Sequence, residues 1–264
     1  MEDRIKLARK NFDSYYYSFS NLSENHKRNF RIKYDHSIRV SEICGTIADN
    51  LKLNTSDKTL AITIGLFHDI GRFKQLIDYN TFNDATSIDH AACSVKVLQE
   101  NNMLLDFKDA DTIYAAIQHH NKLKIPDHLA GRELFFAQLI RDADKLDILK
   151  VITDYYTAPM KKANHTLTWE MPAGQTVSHM ITEQILAGEQ ISRANIKNQL
   201  DIKVMQLSWV FDLNFKPSLE ILKEKGYINI IANCLPQNKT TDKITEKVFS
   251  FLNQTIKATV NPAD

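Results

Sequence analysis

The chain is expected to fold as an all-α protein: only 7 Gly and 6 Pro punctuate its 264 residues, and its apolar residues recur mostly at helical spacing. Hydrophobic residues make up 43% of the chain, enough for a real core in one large domain or one domain with a sizeable extension.

The elements follow in order. Residues 3 to 20 read as an amphipathic helix, followed by a polar stretch from Ser20 to Arg28. From about Tyr34 to Leu51 the residues Val40, Ile43, Cys44, Ile47 and Leu51 form an apolar stripe, and His36 lies one turn before Val40 on that face. The next helix is expected to start at Ser56 or Asp57 and to carry Leu60, Ile64 and Phe67 inward, with His68 one turn past Ile64, Asp69 at its end and Gly71 as its stop. A polar linker from Asp78 to Asp84 precedes a helix from about Thr86 to Gln99, which places His90, Cys93, Ser94 and Val97 on one face. Asp109 to His119 forms another, running into His119-His120. Neighbouring helical residues diverge by about 100°, so both of these histidines reach one site only where the helix frays. Gly131 to Lys150 reads as a long helix on which Phe136, Ile140, Ala143 and Asp144 share a face, leaving a carboxylate on an apolar stripe that calls for a cation. Beyond Val151 the pattern stays helical over Val177 to Leu186, Ile196 to Leu213, Pro217 to Lys225 and Thr241 to Lys257. There Trp169, Trp209, Phe211 and Phe215 are expected as core anchors.

Composition narrows the function classes. Lys plus Arg (33) nearly balances Asp plus Glu (32), a formal charge of +1, so no global field draws the chain to nucleic acid or to an anionic membrane. Cys44, Cys93 and Cys234 are few and far apart and read as reduced thiols. Residues 1 to 19 lack a signal-peptide hydrophobic stretch, and no segment approaches the roughly 18 apolar residues that span a bilayer, so the expected compartment is the cytoplasm.

What carries chemistry is the set His36, His68-Asp69, His90, His119-His120 and Asp144. Imidazole nitrogens suit divalent transition metals and a carboxylate can join two ions, so the set suits one metal or a close pair. One histidine on an apolar stripe is ordinarily a hydrogen-bonded core residue, but this many converging polar groups would be costly without a shared partner. Arg72, three residues past Asp69, reads either as a clamp for phosphate or as an ordinary surface ion pair. Asp142, Asp147 and Asp89 read equally as solvated carboxylates or as supports for the ligands. His26, His128, His165 and His179 are expected to be exposed. The cluster TDYYTAPMKK, Thr153 to Lys162, reads as a packed loop or, less simply, a nucleotide-stacking wall.

The runs YDHSIRV, LFHDIGR and IRDADKLD resemble the HD-domain superfamily of metal-dependent phosphohydrolases, whose signature of His, His-Asp and Asp is matched by His36, His68, Asp69 and Asp144. The resemblance covers about residues 30 to 150. It implies an HD-domain helical bundle over residues 1–150; 151–264 resembles nothing recognised, and the lack of a Gly/Ser-rich linker at the junction predicts a C-terminal helical extension packed on the bundle. His90, His119 and His120 resemble the second-metal ligands of the binuclear branch that includes HD-GYP, which implies Asp69 as the bridge and two ions drawn from Fe, Mn, Co, Ni or Zn. Arg72 falls where HD-GYP proteins carry a phosphate-contacting lysine. The chain departs after His119-His120, where NKLKIPDHLAGREL lacks the Gly-Tyr-Pro element.

The activity so implied is hydrolysis, by metal-activated water, of a phosphomonoester or phosphodiester of a small substrate, with a nucleotide expected. Asp69 and Arg72 are the catalytic candidates. A rival reading is a mixed-valent di-iron oxygenase, which the six-ligand pattern also resembles. A third is a non-catalytic nucleotide-binding module.

Overall fold

The computed structural model describes residues 2–159 and 169–258, and among them every regular element is a helix. His165 and the end of the aromatic-basic cluster, Met160 to Lys162, lie outside the described residues. The chain divides between Asp147 and Ile148 into two compact units.

In the first unit the helices are α1 (Glu2–Tyr17), α2 (Glu24–Asn50), α3 (Thr55–Phe67), α4 (Gly71–Tyr79), α5 (His90–Glu100), α6 (Ala110–His119) and the first part of α7 (Gly131–Thr157). Helices α2 and α3 pack closely along one another. Gly65 makes it possible: a Cβ there would lie 2.8 Å from Ser41 Cα and 2.9 Å from Cys44 Sγ. Ser41 Oγ then reaches across to the Ile62 carbonyl at 3.0 Å. Phe12, Phe30, Phe67 and Phe73 are fully buried and bind α1 through α4 into one aromatic layer.

Three of the boundaries that differ from the sequence expectation have a visible local cause. Helix α2 begins ten residues before Tyr34, because Ser23 caps it by accepting from the His26 amide, and the polar stretch supplies its exposed face. Gly71 is no stop, for it opens α4. Its lack of a side chain serves packing, since a Cβ would meet Ser94 N at 2.4 Å, and its amide donates to Ser94 Oγ at 2.9 Å. Helix α5 starts at His90, with Asp89 as its cap; Thr86 ends a separate 3-10 turn, Asp84–Thr86.

The second unit contains the rest of α7 and the helices α8 (His179–Ala187), α9 (Gln199–Ser208), α10 (Lys216–Glu224), α11 (Tyr227–Ala232) and α12 (Lys239–Ala258). Its core is aliphatic, built on Ile181, Ile185, Val204, Leu207, Leu222, Ile231, Ile244 and Val248. Trp169, Trp209, Phe211 and Phe215 are half-buried, which corrects their expected place in the core. Residues 209–212 leave the helical period for a 3-10 turn, where the side chains no longer follow the stripe of α9. Buried Asp201 ties the loop before α8 to α9 by accepting from Ser178 N, Ser178 Oγ and Lys197 N. Thr153 to Thr157 are the last turns of α7, so that part of the cluster is helix. Cys44, Cys93 and Cys234 are free thiols. Among the described residues no helix is long and apolar enough to cross a membrane.

Candidate metal centre

Four imidazoles in the first unit are fixed in the same way, each through Nδ1. His68 follows the last residue of α3 and its Nδ1 donates to the Gly65 carbonyl at 2.8 Å; His120 follows the last residue of α6 and its Nδ1 donates to the Ile117 carbonyl at 2.7 Å. Both acceptors are carbonyls of the last helical turn, and that of Ile117 also accepts from the His120 amide at 3.4 Å. A carbonyl only accepts, so Nδ1 carries a proton in both rings and Nε2 is the ring nitrogen left to face the interior. His36, on α2, donates from Nδ1 to Asp147 Oδ2 at 2.6 Å, and Arg39 grips Asp147 with bonds of 2.6 and 2.9 Å. His90 opens α5 and donates from Nδ1 to Asp84 Oδ2 at 2.5 Å.

The four Nε2 atoms consequently converge in two pairs. His36 and His68 approach to 3.2 Å, and His90 and His120 to 3.1 Å. Asp144 Oδ1 stands 3.1 Å from His36 Nε2 and 3.7 Å from His68 Nε2. Asp69 lies between the pairs with its oxygens divided. Oδ2 is 3.6 Å from His36 and 3.8 Å from His68, while Oδ1 is 3.4 Å from His90 and 3.9 Å from His120.

These separations fit shared cations. Donors about 2.1 Å from one tetrahedral centre are about 3.4 Å apart by geometry. Asp69 Oδ1 is buried and makes no hydrogen bond; the Arg72 Nε, 3.4 Å away, pairs with it loosely and leaves its lone pairs open to a cation. Two imidazole nitrogens facing each other at hydrogen-bond distance also need a proton or a metal between them.

The electrostatics run the same way. Burial opposes the charge of Asp69, yet Lys33 above all, then His68, Arg72 and His90, hold it well below the usual carboxylate range. Burial likewise opposes the charge of Asp144, and hydrogen bonds to His36 and His68 keep it low. Burial, with His90 and His68 close by, pushes His120 down to about 3, so its ring is neutral at ordinary pH. His90 is also lowered, chiefly by burial. His36 is the exception: burial and Lys33 pull it down, but Asp144 and Asp147 raise it above the ordinary histidine value. Without a metal, a proton on its Nε2 serves Asp144.

His119 does not join this set. Its ring packs against His128 at a centroid distance of 6.0 Å. His120 keeps helical torsions (φ −66°, ψ −33°), so α6 has not frayed and adjacent side chains still diverge by about 100°. Of the two histidines expected as ligands, the structure brings His120, and not His119, to the converging nitrogens. His128 and His179 are exposed as expected, whereas half-buried His26 meets Asn80 Oδ1 at 2.9 Å.

Arg72 is no surface residue. Its Nη1 donates to Gln75 Oε1, the Phe82 carbonyl and Asp84 Oδ1 at 2.7 to 2.8 Å, while Nε lies 3.4 Å from Asp69 Oδ1. It braces Asp69 against the Asp84–His90 pair. Asp89 pairs with Lys122 and accepts from Asn121 Nδ2 at 2.8 Å, so the grouping of Asp84, Asp89 and His90 is already supplied with donors and reads as bracing.

Sequence reasoning missed Lys33, Arg39 and Asp84. Lys33 Nζ donates to Asp69 Oδ2 at 2.8 Å. Lys33, His36 and Arg39 recur every three residues on α2, a spacing that places all three on the same side of the helix. Asp84 sits in a linker, where no periodicity marks it.

Residues 34–149 match the family model of the HD domain. This chain carries an HD domain. The match spans His36, His68, Asp69, His90, His120 and Asp144, and with it comes metal-dependent hydrolase-type chemistry as the family's general activity. No curated protein and no solved structure matches the chain.

Proposed function

We propose that this HD domain is a phosphohydrolase that cleaves a phosphomonoester or phosphodiester of a small substrate, a nucleotide, at a pair of divalent transition-metal ions. The observation that carries the reading is the divided carboxylate of Asp69, whose two oxygens face two separate pairs of imidazole Nε2 atoms. His36, His68, Asp144 and Asp69 Oδ2 would hold one ion; His90, His120 and Asp69 Oδ1 would hold the other. Divalent ions held there lower the pKa of water toward about 7 and neutralise charge on phosphoryl oxygens, so the hydrolysis calls for no side-chain nucleophile.

The protein's own work is to hold the donors in register. Asp147 and Asp84 fix the rings of His36 and His90, and Arg72 keeps Asp69 between the two groups. The second group offers fewer protein donors than the first, which supports it as the place where water or substrate enters. In this reading Arg72 acts by positioning Asp69.

A second reading is favoured by the exclusion of His119. The remaining set of four histidines and two aspartates is also the six-ligand pattern of a mixed-valent di-iron oxygenase. One experiment separates the two: protein loaded with Mn, Fe, Co, Ni or Zn is assayed against nucleotides and generic phosphodiesters in an oxygen electrode. Phosphate ester cleavage without oxygen uptake is the expected result. Iron-specific, substrate-dependent oxygen consumption would overturn the hydrolase, and tight nucleotide binding with no turnover under any metal would make the domain a binding module.

A further inference from the structure

Lys33 is placed where the metal reading makes it anomalous. Its ammonium donates to Asp69 Oδ2 at 2.8 Å, and its side chain is only 19% exposed. The same oxygen faces His36 and His68 at 3.6 and 3.8 Å, so it is a donor of the first group. An ion about 2.1 Å from Oδ2 would lie no farther than about 5 Å from Lys33 Nζ, given its 2.8 Å bond to Oδ2. A divalent ion and an ammonium at that separation repel strongly in a buried site. The single carboxylate oxygen between them would have to serve both cations, a competition that withdrawal of the ammonium or a further anion beside it would relieve.

The surroundings allow both responses. The lysine stem is flexible, and Nζ already lies 5.6 Å from the Phe82 ring while bonded to Oδ2, so an aromatic face stays within its reach as it shifts. Arg72, the other cation beside Asp69, has no such freedom because its Nη1 is bonded to Gln75, Phe82 and Asp84. Lys33 is thus the cation at this centre that can change partners.

We propose that Lys33 is a built-in competitor for the first ion: it neutralises Asp69 in the metal-free protein and, once displaced, binds an oxyanion beside the ion, coupling metal binding to anion binding. The inference rests on the metal and phosphate reading above. Reciprocity then requires phosphate to tighten metal binding as much as metal tightens phosphate binding.

The test is titration of the metal-free protein with Mn²⁺, by calorimetry and by the electron paramagnetic resonance signal of free Mn²⁺, with and without inorganic phosphate. Lys33→Met should bind its first Mn²⁺ on the order of 10-fold more tightly than wild type, and phosphate should tighten Mn²⁺ binding to wild type by a similar factor but leave the variant unmoved. Lys33→Gln, which keeps a donor for Oδ2 without the charge, should follow Lys33→Met and serves if the latter fails to fold. Equal or weaker Mn²⁺ binding in the neutral variants overturns the competitor role. A wild-type Mn²⁺ affinity indifferent to phosphate, or phosphate tightening retained in both variants, overturns the coupling. These titrations need no turnover, so a protein that shows the Lys33 effects yet cleaves no phosphate ester would overturn the hydrolase reading alone.

Discussion

The two ligand groups of the centre are built alike but charged differently. Each combines one histidine tied to a helix-end carbonyl, His68 or His120, with one tied to a carboxylate, His36 by Asp147 or His90 by Asp84. The first group adds Asp144 and an oxygen of Asp69; the second has an oxygen of Asp69 alone. Carboxylates attract a cation where imidazoles only offer lone pairs, so the first group should fill at lower metal concentration. The second group is correspondingly suited to exchange ligands.

The strongest challenge to that comparison is Asp69→Ala, because it strips an oxygen from both groups. Activity should vanish and at least one metal equivalent should be lost, read by elemental analysis and hydrolysis rates; full activity in this variant ends the account. His90→Ala should cost one metal equivalent and spare the other, and an unchanged metal-to-protein ratio would argue for a mononuclear site. The supports come next. Asp147→Asn should weaken the first ion and Asp84→Asn the second, each by about 10- to 100-fold, and equal effects on both ions from either variant would dissolve the distinction between the groups.

The groups should also separate with pH. His36 is raised above the ordinary histidine value, so protons compete for its Nε2 below that raised pKa and the first ion should weaken as pH falls through it. In the second group His120 is held down to about 3 and His90 is also lowered, so their nitrogens stay unprotonated to lower pH. Metal titrations from pH 8 to pH 5 in which the two ions weaken together would reject this difference. The smallest expected effect is His119→Ala, which should leave the metal-to-protein ratio unchanged.

Much of the centre was legible because helical periodicity is. His36, His68 and Asp144 each lie one turn from residues that had to be buried, and three helices that share a core bring such residues together. The doublet His119-His120 marked the place without saying which ring enters, since that depends on whether the last turn of α6 keeps its torsions. Asp84 was invisible because a linker has no period. Gly71 misled, for a glycine after a helix serves equally as a stop or as room for a neighbour, and here Ser94 N occupies that room.

The anchoring of His68 and His120 on backbone carbonyls bears on how this centre can vary. No single substitution elsewhere deletes the acceptor atom of Gly65 or Ile117, because every amino acid carries that carbonyl. Asp147 and Asp84, by contrast, hold the other two rings through side chains that a point mutation removes. Divergence among chains of this design should therefore alter the fit of His36 and His90 well before it disturbs the other two rings.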